Sequence, residues 1–219
     1  MSENKKKIAV LGGTGNLGFA LAWRWARAGH DVTIGSRTED KAAAAAAKIN
    51  ERISADSVQG KDNVAAVSDA EIIVLTVPYA AHDSTLETIK PYLTGQILVD
   101  TTVPLKPPKV AVVQLPESGC VAVQTQLMLE DKATVVAAFH NVSAALLDQD
   151  VAIDCDILIT SDDLEARKEV MRLSEDAGCH ALNAGVLANA IAAEAFTSLL
   201  IHINKAYKAG HAGIRITGL

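Results

Sequence analysis

The sequence predicts an α/β fold: a doubly wound, mostly parallel sheet followed by a small C-terminal α/β extension. Three observations predict it. Apolar runs of strand length alternate with patterns of helical length along the 219 residues, as parallel strands joined by helical crossovers require. Hydrophobic residues make up 49% of the chain and aromatics only 4%, so the core is built from Ala, Val, Ile and Leu, the diet of a buried parallel sheet. Finally, the stretch GGTGNLG at 12–18 separates the first strand-like run from the first helical pattern, where a tight glycine turn joins strand to helix.

Taken in order, the strand-like runs are 6–11, 31–36, 71–77, 96–100, 134–139 and 155–160, with weaker ones near 57–60 and 179–183. Helical patterns fill 16–28, 39–53, 79–90, 118–129 and 162–177. The AAAAAA run at 42–47 is a strong helix former flanked by charges. Residues 103–118 hold four of the six prolines, which reads as an irregular crossing between sheet halves or as a lid. From 187 to 203 the chain is helical and apolar nearly all round, with Glu194 its only formal charge. Such a helix is buried on more than one side. Asn189, Glu194, Thr197, Ser198 and His202 within it argue against a membrane span, so a subunit interface and a homodimer are expected. The resulting layout is a nucleotide-binding domain over 1–145 and an extension over 146–219, with a substrate cavity between them.

A formal charge of −6, with no basic block beyond Lys5, Lys6 and Lys7, argues against a nucleic-acid partner. Those lysines read as a solvated lead-in to the first strand. Cys120, Cys155 and Cys179 have no framework or metal-ligand spacing, which predicts buried thiols in a reducing compartment and no metal site. Residues 1–7 are polar and do not read as a signal peptide, so a cytoplasmic location is expected.

Gly13, Gly15 and Gly18 fit the G-x-G-x-x-G of a Rossmann dinucleotide loop: a tight turn, a close approach to the pyrophosphate, and close packing of helix on strand. The second strand, DVTIGSR, lacks the terminal acid that would hold a ribose 2′-hydroxyl; its only acid, Asp31, is at the wrong end. Ser36, Arg37 and Lys41 stand there instead. A guanidinium, a hydroxyl and an ammonium suit a 2′-phosphate, and cations at a helix start oppose its dipole unless an anion binds. The cofactor expected is NADP.

Ligands of such sheets sit outside the carboxyl ends of the strands. There LTVPY, VDTTVP and AFHNVSA offer Thr76, Val77, Pro78, Thr102, Val103 and His140 as candidate lining. His140 reads equally as a ligand contact or as a structural histidine at a strand end. None of Tyr79, Tyr92 and Tyr207 has a lysine four residues later, which removes the short-chain dehydrogenase mechanism. With no proton relay and no catalytic acid or base, direct hydride transfer between two held rings is the chemistry that fits.

The stretches IAVLGGTGNLGFALA, VTIGSRTEDKA, VLTVPY, FHNVSA, DCDILITSDDLEA and HAGIRITGL together resemble the NADPH-dependent reductases of the 8-hydroxy-5-deazaflavin coenzyme F420. The resemblance spans nearly the whole chain and is weakest across 104–133. It implies a Rossmann domain with a small C-terminal extension, a homodimer, and hydride transfer between NADP(H) and coenzyme F420 as co-substrate. By matching motif it implies that Thr14, Gly15, Asn16, Leu17, Ser36, Arg37 and Lys41 hold the NADP phosphates and ribose. Tyr79 and Ala144 fall at further NADP positions, although a family member carries Trp where Tyr79 stands. His140 and Val142 fall where the deazaflavin ring stacks. Glu194 and Thr197, one turn apart on the final helix, are polar groups expected to line the substrate cavity. Two other readings remain open: an NADPH reductase of another flavin, imine or carbonyl, and a redox sensor that binds NADP without turnover.

Overall fold

The structure, a computed structural model, describes residues 5–219; the polar opening segment 1–4 lies outside the described residues. In chain order the elements are β1 Lys7–Leu11, α1 Asn16–Ala28, β2 Asp31–Ser36, α2 Glu39–Ile53, β3 Val58–Asp62, α3 Asn63–Ser68, β4 Ile72–Leu75 and α4 Tyr79–Ile89. Then follow β5 Gln96–Asp100, α5 Val121–Leu129, β6 Ala133–Ala137, α6 Ala144–Leu147, β7 Asp156–Ile159, α7 Leu164–Asp176, β8 His180–Asn183 and α8 Ala190–Tyr207. Six parallel strands form the main sheet in the order β3-β2-β1-β4-β5-β6. This is the doubly wound Rossmann order, in which the chain reverses direction across the sheet between β1 and β4. β7 and β8 pair as a separate two-stranded parallel sheet, joined to the main one by an antiparallel bridge between Ala137 and Thr160.

Alternation along the central strand builds the two core layers. On β1, Ile8 and Val10 pack with α1, α2 and the β7–α7–β8 unit, whereas Ala9 and Leu11 pack with α4 and α5. Trp23 and Trp25 on α1 are both buried within the chain. The Trp25 indole donates to the Leu173 carbonyl on α7 at 2.8 Å. Trp23 is roofed by the guanidinium groups of Arg24, Arg27 and Arg52, the last 3.8 Å from the ring centroid.

Arg24 ties the extension to the nucleotide-binding half. Its buried guanidinium donates to the carbonyls of Leu147 (2.7 Å), Ala177 (2.7 Å), Gln149 (2.6 Å) and Val151 (3.1 Å). Further along the extension, the C-terminal tail lies against β7. The Asp156 amide donates to the Ile214 carbonyl at 2.7 Å, and the Asp156 carboxylate accepts from the Ile216 amide at 2.6 Å.

Several boundaries differ from expectation. The proline-rich segment has no helix or strand from 101 to 120, but it joins β5 to α5 within one half of the sheet and does not cross between halves. The helix anticipated from 118 starts at Val121, and the final helix starts at Ala190 after a single 3-10 turn. Lys5 and Lys6 form surface ion pairs with Asp31 and Glu169. All three cysteines are buried and free, and burial pushes the Cys155 and Cys179 thiols up to about 11 and about 12. Among the described residues there is no cluster that could hold a metal ion, and no helix is long and apolar enough to cross a membrane.

Candidate nucleotide and substrate site

The glycine loop leaves β1 at Leu11 and turns back on hydrogen bonds from Gly13 to the Val10 carbonyl (3.2 Å) and from Gly15 to the Gly12 carbonyl (2.8 Å). The positive φ that makes this turn, 78°, falls on Gly12 and not on Gly13, to which the fingerprint assigned it. At Gly18 a Cβ would stand 2.4 Å from Thr76 Oγ1 and 2.8 Å from the Gly12 carbonyl oxygen, so helix, loop and β4 meet there without room for a methyl group. Thr76 is the strut behind this contact: its hydroxyl and amide both donate to the Leu11 carbonyl, at 2.8 and 2.9 Å. That bond ties it to the glycine loop, a role not foreseen when it was grouped with the nicotinamide lining. α1 starts on Gly15 with no side-chain cap and no acid in its first turn, leaving the Asn16 and Leu17 amides free for an anion.

Beside the loop, α1, α2 and α6 enclose a cavity of about 760 Å³. Five of the expected nucleotide contacts line it: Thr14, Gly15, Asn16, Lys41 and Ala144. Phe19, Lys48 and Asp148 line it too, and sequence reasoning missed all three. Lys48 was legible in principle, because it lies seven residues, two helical turns, beyond Lys41 on α2. Ser36 and Arg37 lie outside this wall, at the adjoining end of β2. Ser36 Oγ accepts from the Thr38 amide at 3.5 Å, while Arg37 and Lys41 are exposed and form no ion pair among the described residues. Glu39 and Asp40 share the first turn of α2, so the helix start is not purely cationic and the dipole argument for an anion loses force.

A second group of residues gathers past the ends of β4, β5 and β6. Val77, Pro78 and Tyr79 lead into α4, and Val77 packs on the α4–α5 core layer. Thr102 is buried after β5, and its hydroxyl has no hydrogen-bond partner in the protein. After β6 the backbone is strained: Phe139, buried and edge-on to Trp25, takes a φ of 63°. The next residue, His140, is held through its carbonyl, which accepts from Thr197 Oγ1 at 2.7 Å. Its ring is 5% exposed, and neither ring nitrogen has a protein partner. Burial lowers the His140 pKa to about 4 against a small upward pull from Asp100, so the imidazole is neutral at pH 7. One nitrogen then donates and the other accepts, and both are unused.

Orphaned polar atoms at the carboxyl ends of neighbouring strands are what a bound ring with polar edges would satisfy. The residues present therefore fit a dinucleotide on the loop and a ring substrate near His140 and Thr102. Val142 is partly buried against the α1–α7 core layer, two residues beyond His140. Glu194 and Thr197 are already engaged. Glu194 is 1% exposed and its oxygens accept from the Val121 and Ala122 amides at 2.8 and 3.1 Å, capping α5. Burial raises its pKa to about 7, against those two amides. Glu194 and Thr197 thus serve as a helix cap and a backbone strut.

Residues 7–104 match the family model described as NADP oxidoreductase coenzyme F420-dependent. Over 97% of its length the chain is 43% identical to 99% of an F420-dependent NADP reductase of Methanothermobacter marburgensis. It is 39% identical, again over 97% of its length, to 99% of a protein of the same name from Methanocaldococcus jannaschii. Among solved structures, a hypothetical protein from Sinorhizobium meliloti superposes with a TM-score of 0.69 at 22% identity, over 84% of this chain and 87% of that one. A reductive aminase from Aspergillus terreus superposes with a TM-score of 0.64 at 18% identity, over 93% of this chain and 62% of that one. These two likenesses concern the fold alone.

Proposed function

The chain belongs to the family of F420-dependent NADP reductases, and on that premise we propose that it transfers a hydride between NADP(H) and coenzyme F420. The observation that carries this reading is the 43% identity spanning 97% of the chain, since it takes in the glycine loop, the β2 terminus and His140 together. NADPH supplies the hydride and the deazaflavin ring accepts it, or the reverse. The chain's own task is to bind and align. The free amides of Asn16 and Leu17 hold the pyrophosphate; Ser36, Arg37 and Lys41 hold the 2′-phosphate. Thr14, Tyr79 and Ala144 complete the nucleotide contacts, with Val77 and Pro78 towards the nicotinamide. His140 and Val142 shape the ring site, and the neutral imidazole offers a hydrogen bond without donating its proton. Glu194 and Thr197 serve that site from behind, through α5 and the His140 carbonyl.

A homodimer belongs to the same reading. Ile191, Phe196, Leu199 and Ile203 on α8 are each 37–46% exposed, an apolar face that a second copy would cover. So does a cytoplasmic location, which suits three unpaired thiols. The test is NADPH oxidation followed with the deazaflavin and with FMN side by side. Turnover with the deazaflavin alone supports the proposal; equal or faster turnover with FMN replaces it with a general flavin reductase.

A further inference from the structure

Asp100 is the last residue of β5, at the carboxyl edge of the sheet, and its side chain is 1% exposed. A carboxylate so placed persists only if its oxygens are fully partnered. Its Oδ1 accepts from the Thr102 amide at 2.9 Å. Its Oδ2 accepts from Thr125 Oγ1 on α5 at 2.5 Å and pairs with His82 Nε2 on α4 at 3.1 Å. His82 is 0% exposed; its Nε2 lies 2.8 Å from Thr125 Oγ1, and its Nδ1 lies 2.6 Å from Asp83 Oδ1. A carboxylate at each ring nitrogen favours the doubly protonated imidazolium. Burial alone would lower the His82 pKa, but Asp100 and then Asp83 carry it upward.

This network joins α4, β5 and α5 at the carboxyl end of β5. Towards the proposed ring site it reaches through the Thr102 amide. The turn that begins there is clamped a second time, by the Thr101 hydroxyl on the Leu75 carbonyl at 2.9 Å. Thr102 also carries the buried hydroxyl with no protein partner. On the α4 side the Tyr79 ring lies 6.4 Å, centroid to centroid, from His82.

We propose that Asp100 is a positioning residue for hydride transfer: locked by His82 and Thr125, it fixes the Thr101–Pro104 turn as the floor of the nicotinamide site. This rests on the reading of the chain as an NADP(H)–deazaflavin reductase. A reaction without a proton relay depends on alignment, and a misplacement of about 1 Å costs up to ~100-fold in rate. Asparagine at position 100 would still accept from the Thr102 amide, but its amide nitrogen would face the donors of His82 and Thr125.

The test compares wild type with Asp100→Asn by two readouts, the emission of bound NADPH and the turnover number. The glycine loop and β2 terminus are untouched, so the NADPH Kd is expected within about threefold of wild type, while kcat falls ~10-fold to ~100-fold. At saturation the nicotinamide emission should move towards that of free NADPH. His82→Gln, which retains a donor to Asp100, should recover most of the turnover that His82→Leu loses. Unchanged emission with kcat within about twofold of wild type in a folded Asp100→Asn overturns the proposal. Should that variant fail to fold, Thr125→Val and the two His82 variants decide by the same readouts. A wild-type enzyme that binds NADPH with shifted emission yet does not reduce the deazaflavin defeats the functional reading; the emission comparison still decides the role of Asp100.

Discussion

Arg37 stands exposed at the end of β2 with no ionic partner among the described residues, and in the proposed function it holds the 2′-phosphate. Arg37→Ala should cost about 1–3 kcal/mol of NADPH affinity, the range of a charge-assisted hydrogen bond, and leave NADH binding nearly unchanged. Titrations of both nucleotides check this; equal losses would remove the 2′-phosphate assignment. In the proposed function His140 acts by position, so His140→Ala should lower turnover ~10-fold, against ~100-fold to ~10,000-fold for a lost general acid. Single-turnover kinetics of wild type and variant separate the two by the size of the rate loss, and NADPH deuterated at the transferred position reports whether the hydride passes directly to the acceptor ring. His140 and Glu194 also oppose each other as pH changes. The His140 pKa is lowered from 6.5 to about 4, so between those values the unfolded chain binds more protons and stability rises with pH. The Glu194 pKa is raised from 4.5 to about 7, so there the native chain binds more protons and stability falls as pH rises. Each is worth on the order of 3 kcal/mol, and in wild type they largely cancel between about pH 4.5 and 6.5. Urea unfolding at both ends of that window should show Glu194→Gln gaining on wild type as pH rises and His140→Ala losing ground. Ser36 and Arg37 could be singled out from sequence because they sit at a fixed distance from a recognisable loop. Asp100 and His82 could not, because their meaning depends on a contact between elements 18 residues apart.

Among the elements, α8 carries the clearest consequence. Its buried side is Ala190, Ala193, Glu194, Ser198 and Leu200, and the apolar residues that remain face outward. Light scattering at micromolar concentration should give a dimer, and Leu199→Glu with Ile203→Glu should give a monomer; a monomeric wild type would remove the proposed interface. The long strands and helices were readable because period-2 and period-3.6 patterns need only local sequence. α3 and α6 were not, at six and four residues too short to show a period; side-chain caps from Asp62 and Ser143 mark their starts instead. The proline-rich segment was correctly read as irregular and wrongly placed between the halves of the sheet. Composition shows that a chain cannot be helical there, but not which strands it joins.

At the scale of the whole molecule, the doubly wound order follows from the alternation of strand and helix, and the nucleotide loop falls where such sheets bind ligands. What alternation could not show is how the extension is held. Arg24 lies on the first helix, yet its guanidinium binds carbonyls at 147, 149, 151 and 177. Those oxygens belong to irregular chain and helix ends. One consequence concerns cooperativity: the N-terminal half cannot melt without stripping the extension of its hydrogen bonds, nor the extension without stranding a buried cation. Wild type should therefore unfold in one calorimetric transition, with van't Hoff and calorimetric enthalpies equal. Arg24→Met leaves the carbonyls unpaired, at about 1–3 kcal/mol for each that stays buried, and should lower the midpoint by roughly 5–10 °C. It should also split the transition in two, the extension loosening first. A wild type that already melts in two steps would mean that this one side chain does not couple the halves.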